Sequence, residues 1–77
     1  MHPHHGQVAW IPLDSSVIAA VSYRSDTEQL DIRFTNGHVY RYEEVPAAIV
    51  RRLIEAESAG ECFNLAIRDS YEYEQLD

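Results

Sequence analysis

The chain has 77 residues and a formal net charge of −7, and all six of its cations are arginines. This length allows one small domain, and 45% apolar with 25% charged residues is typical of a globular chain rather than a disordered one. Phosphate backbones attract cationic proteins, so the charge excludes diffuse nucleic-acid binding and leaves only a local arginine patch. No apolar run approaches the ~20 residues of a membrane span, and no signal-peptide pattern begins the chain, so we expect a cytoplasmic protein.

Residues 1–8 predict a flexible lead-in that contains three histidines. His2, His4 and His5 do not have the spacing of a closed structural site, so we expect no metal ion and no cofactor. The single cysteine, Cys62, cannot form an internal disulfide and is predicted to be a small buried hydrophobic residue.

The first strand is predicted in VIAAVSYR, residues 17–24. The turn-forming residues Asp14, Ser15 and Ser16 precede this strand. Their side chains readily bond nearby backbone N–H groups. The alternation of the strand predicts a core-facing set of Val17, Ala19, Val21 and Tyr23.

LDIRF, residues 30–34, alternates strictly, which predicts a second strand with one buried and one wetted face. An Asn-Gly turn then leads into a third strand, HVYRYEEV, residues 38–45. A two-residue turn would pair Phe34 with Val39 and turn Arg41 toward the core. A three-residue loop with a left-handed Gly37 pairs Phe34 with His38 instead.

The three-residue loop gives the better set of buried side chains. It places Ile32 opposite Tyr40 and Leu30 opposite Tyr42 on the core face. On the other face, Asp31 and Arg41 form a cross-strand charge pair. Because a slip of one residue reverses every side chain, only one register serves the core, and we predict this one.

Two helices are expected after the third strand. Pro46 suits the first position of a helix whose apolar stripe includes Ile49, Val50, Leu53, Ile54 and Ala56, and Gly60 suits its C-terminal cap. Phe63, Ala66 and Ile67 have helical spacing, which predicts a short second helix at roughly 61–68, with a short buried strand as the alternative.

These elements predict an α+β domain over residues 9–73. Its architecture is a three-stranded antiparallel meander packed against one main helix and a short second helix. Residues 74–77 are expected to form an acidic tail.

Four segments occur in an order that is specific to one family. They are the DSS turn at 14–16, NGHVYRYEEVP at 36–46, LIEAESAG at 53–60 and FNLAIRDSY at 63–71. This combination, over roughly residues 11–73, resembles the KTSC domain, a module found at the C-terminus of some lysyl-tRNA synthetases and as small stand-alone proteins of bacteria and phages. The resemblance implies that Tyr40 and Tyr42 are the Tyr-x-Tyr of the family and that Phe63, Asn64, Ile67, Arg68 and Tyr71 form its closing motif. It also suggests RNA as a ligand.

No catalytic arrangement stands out in the sequence. Ser15 or Ser16 with the distant His38 lacks the orienting acid and the oxyanion donors that a hydrolase needs. The three glycines are isolated, so no glycine-rich phosphate loop is present. We therefore expect a protein that is not an enzyme.

The candidate ligand-binding residues are Tyr40, Tyr42, Arg33, Arg41, Asn64 and Arg68. The tyrosines either pack in the core or offer a stacking platform, and Asn64 with Arg68 either locks the second helix or contacts a ligand. We expect a small binding module with RNA as the suggested ligand. The alternative is a protein-interaction or accessory module that uses its acidic surface or an uncovered sheet edge.

Overall fold

A five-stranded antiparallel sheet and two helices form the fold in the computed structural model, which describes residues 9–77. The elements are β1 Ile11–Pro12, β2 Ile18–Arg24, β3 Gln29–Phe34, β4 Val39–Tyr42, α1 Ala47–Glu55, α2 Ala59–Ala66 and β5 Tyr73–Gln75. The strands lie in chain order across the sheet, and the helices pack on one face, which we call the inner face. The predicted α+β class is confirmed, whereas the prediction of three strands is wrong.

The two missed strands form the edges of the sheet. β1 has two residues and contains a proline, so its pattern is too short to predict a strand. β5 includes residues that were predicted to form the acidic tail. The residues on either side of β5 also bond to β4 or to the residue after it: Glu43 N–H donates to Glu72 O at 2.9 Å, and Leu76 N–H donates to Val39 O at 2.8 Å. These bonds hold the end of the chain on the sheet despite its acidic composition.

The β3–β4 hairpin has the predicted register. Phe34 N–H donates to His38 O at 2.9 Å, and Gly37 has φ +96°. Leu30 therefore pairs with Tyr42, and Ile32 pairs with Tyr40, as the three-residue loop requires. Both tyrosines point to the inner face.

A β-bulge changes which residues of β2 face the core. The register against β3 shifts between Ile18 and Ala20, so Ile18 and Val21 both lie on the inner face and are fully buried. Val17 is 45% exposed, and the prediction that Val17 and Ala19 face the core is wrong. Before the bulge, the predicted turn is present: Ser15 Oγ accepts from Val17 N–H and from Ile18 N–H, both at 3.1 Å.

One hydrophobic core fills the space between the sheet and the helices. It consists of Ile18, Val21, Leu30, Ile32, Tyr42, Val45, Val50, Leu53, Ala59, Phe63 and Ile67. Tyr23 ties the entry of α1 to the sheet, because its phenol donates to Val45 O at 2.6 Å.

The helix boundaries differ from the prediction at Gly60. α1 ends at Glu55, and α2 begins at Ala59 after Ser58, whose Oγ accepts from Glu61 N–H at 3.2 Å. Gly60 lies in the first turn of α2 and is not the cap of α1. A Cβ there would meet Val17 Cγ2 at 3.1 Å, so glycine allows the helix to approach the sheet closely.

The positive φ of Gly37 predicts that replacing this glycine destabilises the fold. A Cβ at this position meets no atom within 4 Å, so a substitution is opposed by its backbone conformation alone. We expect Gly37→Val to lower the free energy of unfolding by about 1–2 kcal/mol or more, and Gly37→Asn to lower it less, since asparagine tolerates positive φ better. Urea denaturation of both variants measures this difference, and equal stability of Gly37→Val and wild type would contradict the register.

Candidate functional site

The sheet distributes the six candidate residues over three separate places. Tyr40 and Tyr42 lie on the inner face with Arg68 beside them, whereas Arg33 and Arg41 project from the opposite, outer face. Asn64 lines a different depression, with the Asp14–Val17 turn and the start of α2. The six residues therefore do not form one surface.

The outer face carries a buried carboxylate held by two arginines. Arg41 Nε lies 2.9 Å from Asp31 Oδ1, its Nη2 lies 3.2 Å from Oδ2, and Arg24 Nη1 lies 3.5 Å from the same Oδ2. These distances confirm the predicted charge pair between Asp31 and Arg41. The side chain of Asp31 is only 4% exposed, so the prediction that this face is wetted is wrong at Asp31. Ser22 on β2 is buried and lies opposite Asp31 in the strand pairing. Ser22 and the aliphatic stems of the two arginines exclude water from the carboxylate.

The third arginine of the outer face is also engaged. Arg33 Cζ lies 4.4 Å from the centroid of the Trp10 ring, which is the geometry of a cation–π contact. Arg24, Arg33 and Arg41 thus each interact with a neighbour on this face. A phosphate approaching the outer face would compete with contacts that already exist.

A groove opens on the inner face between the β3–β5 side of the sheet and the C-terminal end of α2. It has a volume of about 330 Å³ and is lined by Phe34, Tyr40, Tyr42, Phe63, Arg68, Asp69 and Tyr73. We call it the aromatic groove. It joins residues from three strands, one helix and one turn, so no short sequence segment contains it.

The rings of the aromatic groove pack edge to face and tilted. Phe34 meets Tyr40 with centroids 5.7 Å apart, and Phe63 meets Tyr42 at 5.6 Å, both nearly perpendicular. Tyr73 lies 5.6 Å from Tyr40 and 5.4 Å from Tyr42. Such contacts add about 0.5–1.5 kcal/mol per pair beyond area burial, so they hold the rings in place.

Tyr42 is the most buried polar group of the aromatic groove. It is 4% exposed, and burial, with smaller contributions from Tyr73 and Tyr40, raises the pKa of its phenol to about 12. The hydroxyls of Tyr23 and Tyr40 each have a hydrogen-bond partner, but within residues 9–77 the Tyr42 hydroxyl has none. Since buried hydroxyls are nearly always bonded, this one is left to bond water or a ligand.

A short turn after α2 places two charges at the rim. Ile67 N–H and Arg68 N–H both donate to Phe63 O, at 3.0 and 2.9 Å, and Ser70 N–H donates to Ile67 O. Ile67 is fully buried and anchors this turn, while Arg68 and Asp69 are exposed. Their charges act on Tyr42 in opposite directions: Arg68 lowers the pKa of its phenol and Asp69 raises it. The rim is therefore close to electrically neutral.

Sequence reasoning missed Phe34, Phe63, Asp69 and Tyr73 as groove residues. Tyr73 has a detectable signal, because YEYEQ alternates aromatic and acidic residues with the period of a strand. Asn64 and Arg68, predicted to act together at the second helix, are separated because α2 ends at Ala66.

A family model confirms the resemblance. The KTSC domain model matches residues 14–71, most of the chain. The protein belongs to the KTSC domain family. Tyr40 and Tyr42 of this KTSC domain, with Phe63 and Arg68 of its closing motif, all line the aromatic groove.

Relatives of the domain occur both alone and within a longer enzyme. An uncharacterized protein of Stutzerimonas stutzeri is 35% identical over 68 residues, which covers 87% of this chain and 96% of that protein. A lysine–tRNA ligase of Nostoc punctiforme is 40% identical over 63 residues, which is 82% of this chain but only 11% of the ligase. The crystal structure of the KTSC domain protein YPO2434 from Yersinia pestis has a TM-score of 0.85 and 26% identity, covering 92% of this chain and all of that one.

The described part of the chain contains neither a metal-binding cluster nor a membrane-spanning helix. Between residues 9 and 77, no group of three or more His, Cys, Asp or Glu side chains is placed to hold a metal ion. No helix within the same residues is long and apolar enough to cross a membrane. His2, His4 and His5 lie outside the described residues.

The buried Asp31–Arg41 pair predicts strong coupling in a double-mutant cycle. Arg41→Met keeps the aliphatic stem but leaves Asp31 buried with Arg24 alone, and we expect it to lower the free energy of unfolding by about 3 kcal/mol. Adding Asp31→Leu should restore part of this loss, because no buried charge remains. Denaturant unfolding gives the free energies of the two single variants and the double variant, and their difference gives the coupling energy.

Arg33→Met is the matched control for this cycle. It removes a stacked arginine from the same face and should cost about 0.5–1 kcal/mol. Equal losses for Arg33→Met and Arg41→Met would contradict the description of Asp31 as a buried anchor.

The raised pKa of Tyr42 predicts a loss of stability at high pH. The folded pKa of about 12 exceeds the ordinary value of 10.0, so folding favours the neutral phenol. This contribution is fully present below about pH 10 and is lost as the pH rises toward about 12. Tyrosinate absorbance should show one tyrosine that ionises last, and Tyr42→Phe should remove that step. If the ionisation step near pH 12 persists in Tyr42→Phe, the assignment of that step to Tyr42 is wrong.

Proposed function

We propose that this KTSC domain is a binding module, without catalytic activity, that takes an unpaired base of single-stranded RNA into the aromatic groove. The observation that carries the proposal is a groove walled by five aromatic rings, those of Phe34, Tyr40, Tyr42, Phe63 and Tyr73. Rings offer stacking to any base, and a hydroxyl such as that of Tyr42, which has no hydrogen-bond partner within residues 9–77, offers a hydrogen bond to its edge.

Tyr73 supports the proposal because it offers an open ring face. It is 57% exposed, although it is in contact with Tyr40 and Tyr42, which are much more enclosed. An aromatic side chain that is fixed by neighbours and open to solvent is a suitable stacking platform, since little side-chain freedom is lost on binding. A base seated on Tyr73 would lie within the groove that Tyr42 also lines.

The charge of the domain sets the kind of RNA binding that is proposed. The arginines of the outer face are already engaged, and Arg68 at the groove has Asp69 as its sequence neighbour. Affinity would therefore come from the base and not from the phosphates. This distinguishes the proposed site from cationic grooves that track a nucleic-acid backbone.

The relatives add context to the proposal. The domain matches a short part of a protein named lysine–tRNA ligase, an enzyme whose name includes an RNA substrate. Neither the family description nor the name of the structural relative gives a catalytic activity. An RNA-contacting accessory role is consistent with both.

Titration of labelled single-stranded RNA at two salt concentrations tests the proposed function. We expect binding whose logarithmic salt slope is no steeper than about −1, because Arg68 is the one arginine that lines the aromatic groove and each phosphate contact contributes about −0.7 for single strands. Fluorescence anisotropy gives the affinity. A slope of several units would contradict base-directed binding, and no binding even at low salt would overturn RNA as the ligand.

Variants locate the site in the same assay. Tyr73→Ala should weaken binding by about 1–3 kcal/mol, the usual loss for one stacked base. Leu65→Ala is the matched control, since it removes another large, exposed side chain, 81% accessible, that does not line the aromatic groove. Equal effects of the two variants would place binding elsewhere.

A protein-interaction module is the second candidate, and Leu65 favours it. This side chain is the most exposed of the large hydrophobic residues in the described chain. It lies on α2 beside Cys62 and Ala66, with Glu57 and Glu61 at the border. A domain that fails to bind RNA at low salt would leave this surface as the better candidate.

A further inference from the structure

We infer that the aromatic groove prefers guanine among the four RNA bases, an inference that rests on the proposed RNA binding. The residue that carries it is Asp69, which lines the groove together with Arg68 and Tyr42. Asp69 is exposed, and among residues 9–77 its carboxylate has no hydrogen-bond or ion-pair partner, unlike Asp31 and Asp77. A carboxylate in this position is available to a ligand.

An ionised carboxylate only accepts hydrogen bonds, so it selects bases by their donors. Guanine presents two neighbouring donors, N1–H and the N2 amino group, which one carboxylate can accept together. Adenine and cytosine each offer a single exocyclic amino group beside an acceptor nitrogen, and uracil offers one N3–H between two carbonyl groups. Only guanine matches both oxygens of Asp69.

Two other polar residues of the groove, Arg68 and Tyr42, agree with this choice. Next to its N1–H, guanine carries the O6 acceptor, and both a guanidinium and a neutral phenol can donate to it. Arg68 adjoins Asp69 in the rim turn, so a donor stands beside an acceptor there, as the edge of guanine requires. Tyr42 supplies a second donor to the groove, since a tyrosine phenol is protonated at neutral pH.

The groove also disfavours the competing anionic ligands. A free phosphate or a nucleotide bound by its phosphates would place negative charge beside Asp69. The opposite charges of Arg68 and Asp69 give such a group no net attraction, whereas a neutral base meets no repulsion. The selectivity is therefore for a base edge.

The test compares four RNA heptamers of uridines that differ only in the central base, measured by anisotropy with wild type and Asp69→Asn. Bidentate readout of a base gives roughly 1–3 kcal/mol of discrimination, so we expect the guanine heptamer to bind wild type about tenfold more tightly than the others. Asp69→Asn should reduce this preference to within about twofold while binding of the all-uridine heptamer is retained. A central inosine, which lacks the N2 amino group, should lose most of the preference in wild type.

Asp26→Asn is the matched control, because it removes the same charge from an exposed turn away from the groove. It should keep the guanine preference, and circular dichroism should show that both variants are folded. Equal binding of all four heptamers to wild type, or an unchanged preference in Asp69→Asn, would overturn the guanine inference and leave base binding intact. Failure of all four heptamers to bind would instead overturn the proposed function.

Discussion

The backbone conformation of Gly37 is the constraint on which the rest of the structure depends. Its positive φ allows a three-residue loop, and that loop sets the register of β3 against β4. The register directs Tyr40 and Tyr42 toward the helices and Arg41 away from them. A two-residue turn would exchange these side chains between the faces, so the aromatic groove and the outer-face ion pair both follow from one loop.

The contacts of the outer-face arginines explain why we do not propose a nucleic-acid surface there. Asp31 accepts bonds from Arg41 and Arg24, and Arg33 is stacked on Trp10. A phosphate would have to compete with these contacts. The site that we propose lies instead on the inner face, where the rings are packed but the Tyr42 hydroxyl and the Asp69 carboxylate have no partner in the described chain.

The parts of the fold that sequence predicts are those with strong local signals. β3, β4 and their loop follow from strict alternation and one glycine, and α1 follows from its apolar stripe. The bulge in β2 has no local signal, because it is a shift of pairing between Ile18 and Ala20 that the core requires. β1 and β5 are too short for periodicity to be decisive, and acidic residues in β5 favour a tail when its pairing with β4 is not known.

The candidate site was only partly predictable for a related reason. Tyr40, Tyr42 and Arg68 are found through the family motifs, but Tyr73 and Asp69 become neighbours of them only through β5 and the turn after α2. Arg41 lies between the two tyrosines in sequence and Arg33 precedes them on β3, yet both arginines project from the opposite face of the sheet. Successive side chains of a strand point to opposite faces of the sheet, so two residues that are adjacent in sequence on a strand do not share a site.

The most direct test of the account asks which face of the sheet RNA contacts. Backbone amide shifts of ¹⁵N-labelled protein can be followed while the guanine-containing heptamer is added. We expect the largest shifts at Tyr40, Tyr42, Arg68, Asp69 and Tyr73. Shifts concentrated at Trp10, Arg24 and Arg33, on the outer face, would contradict it.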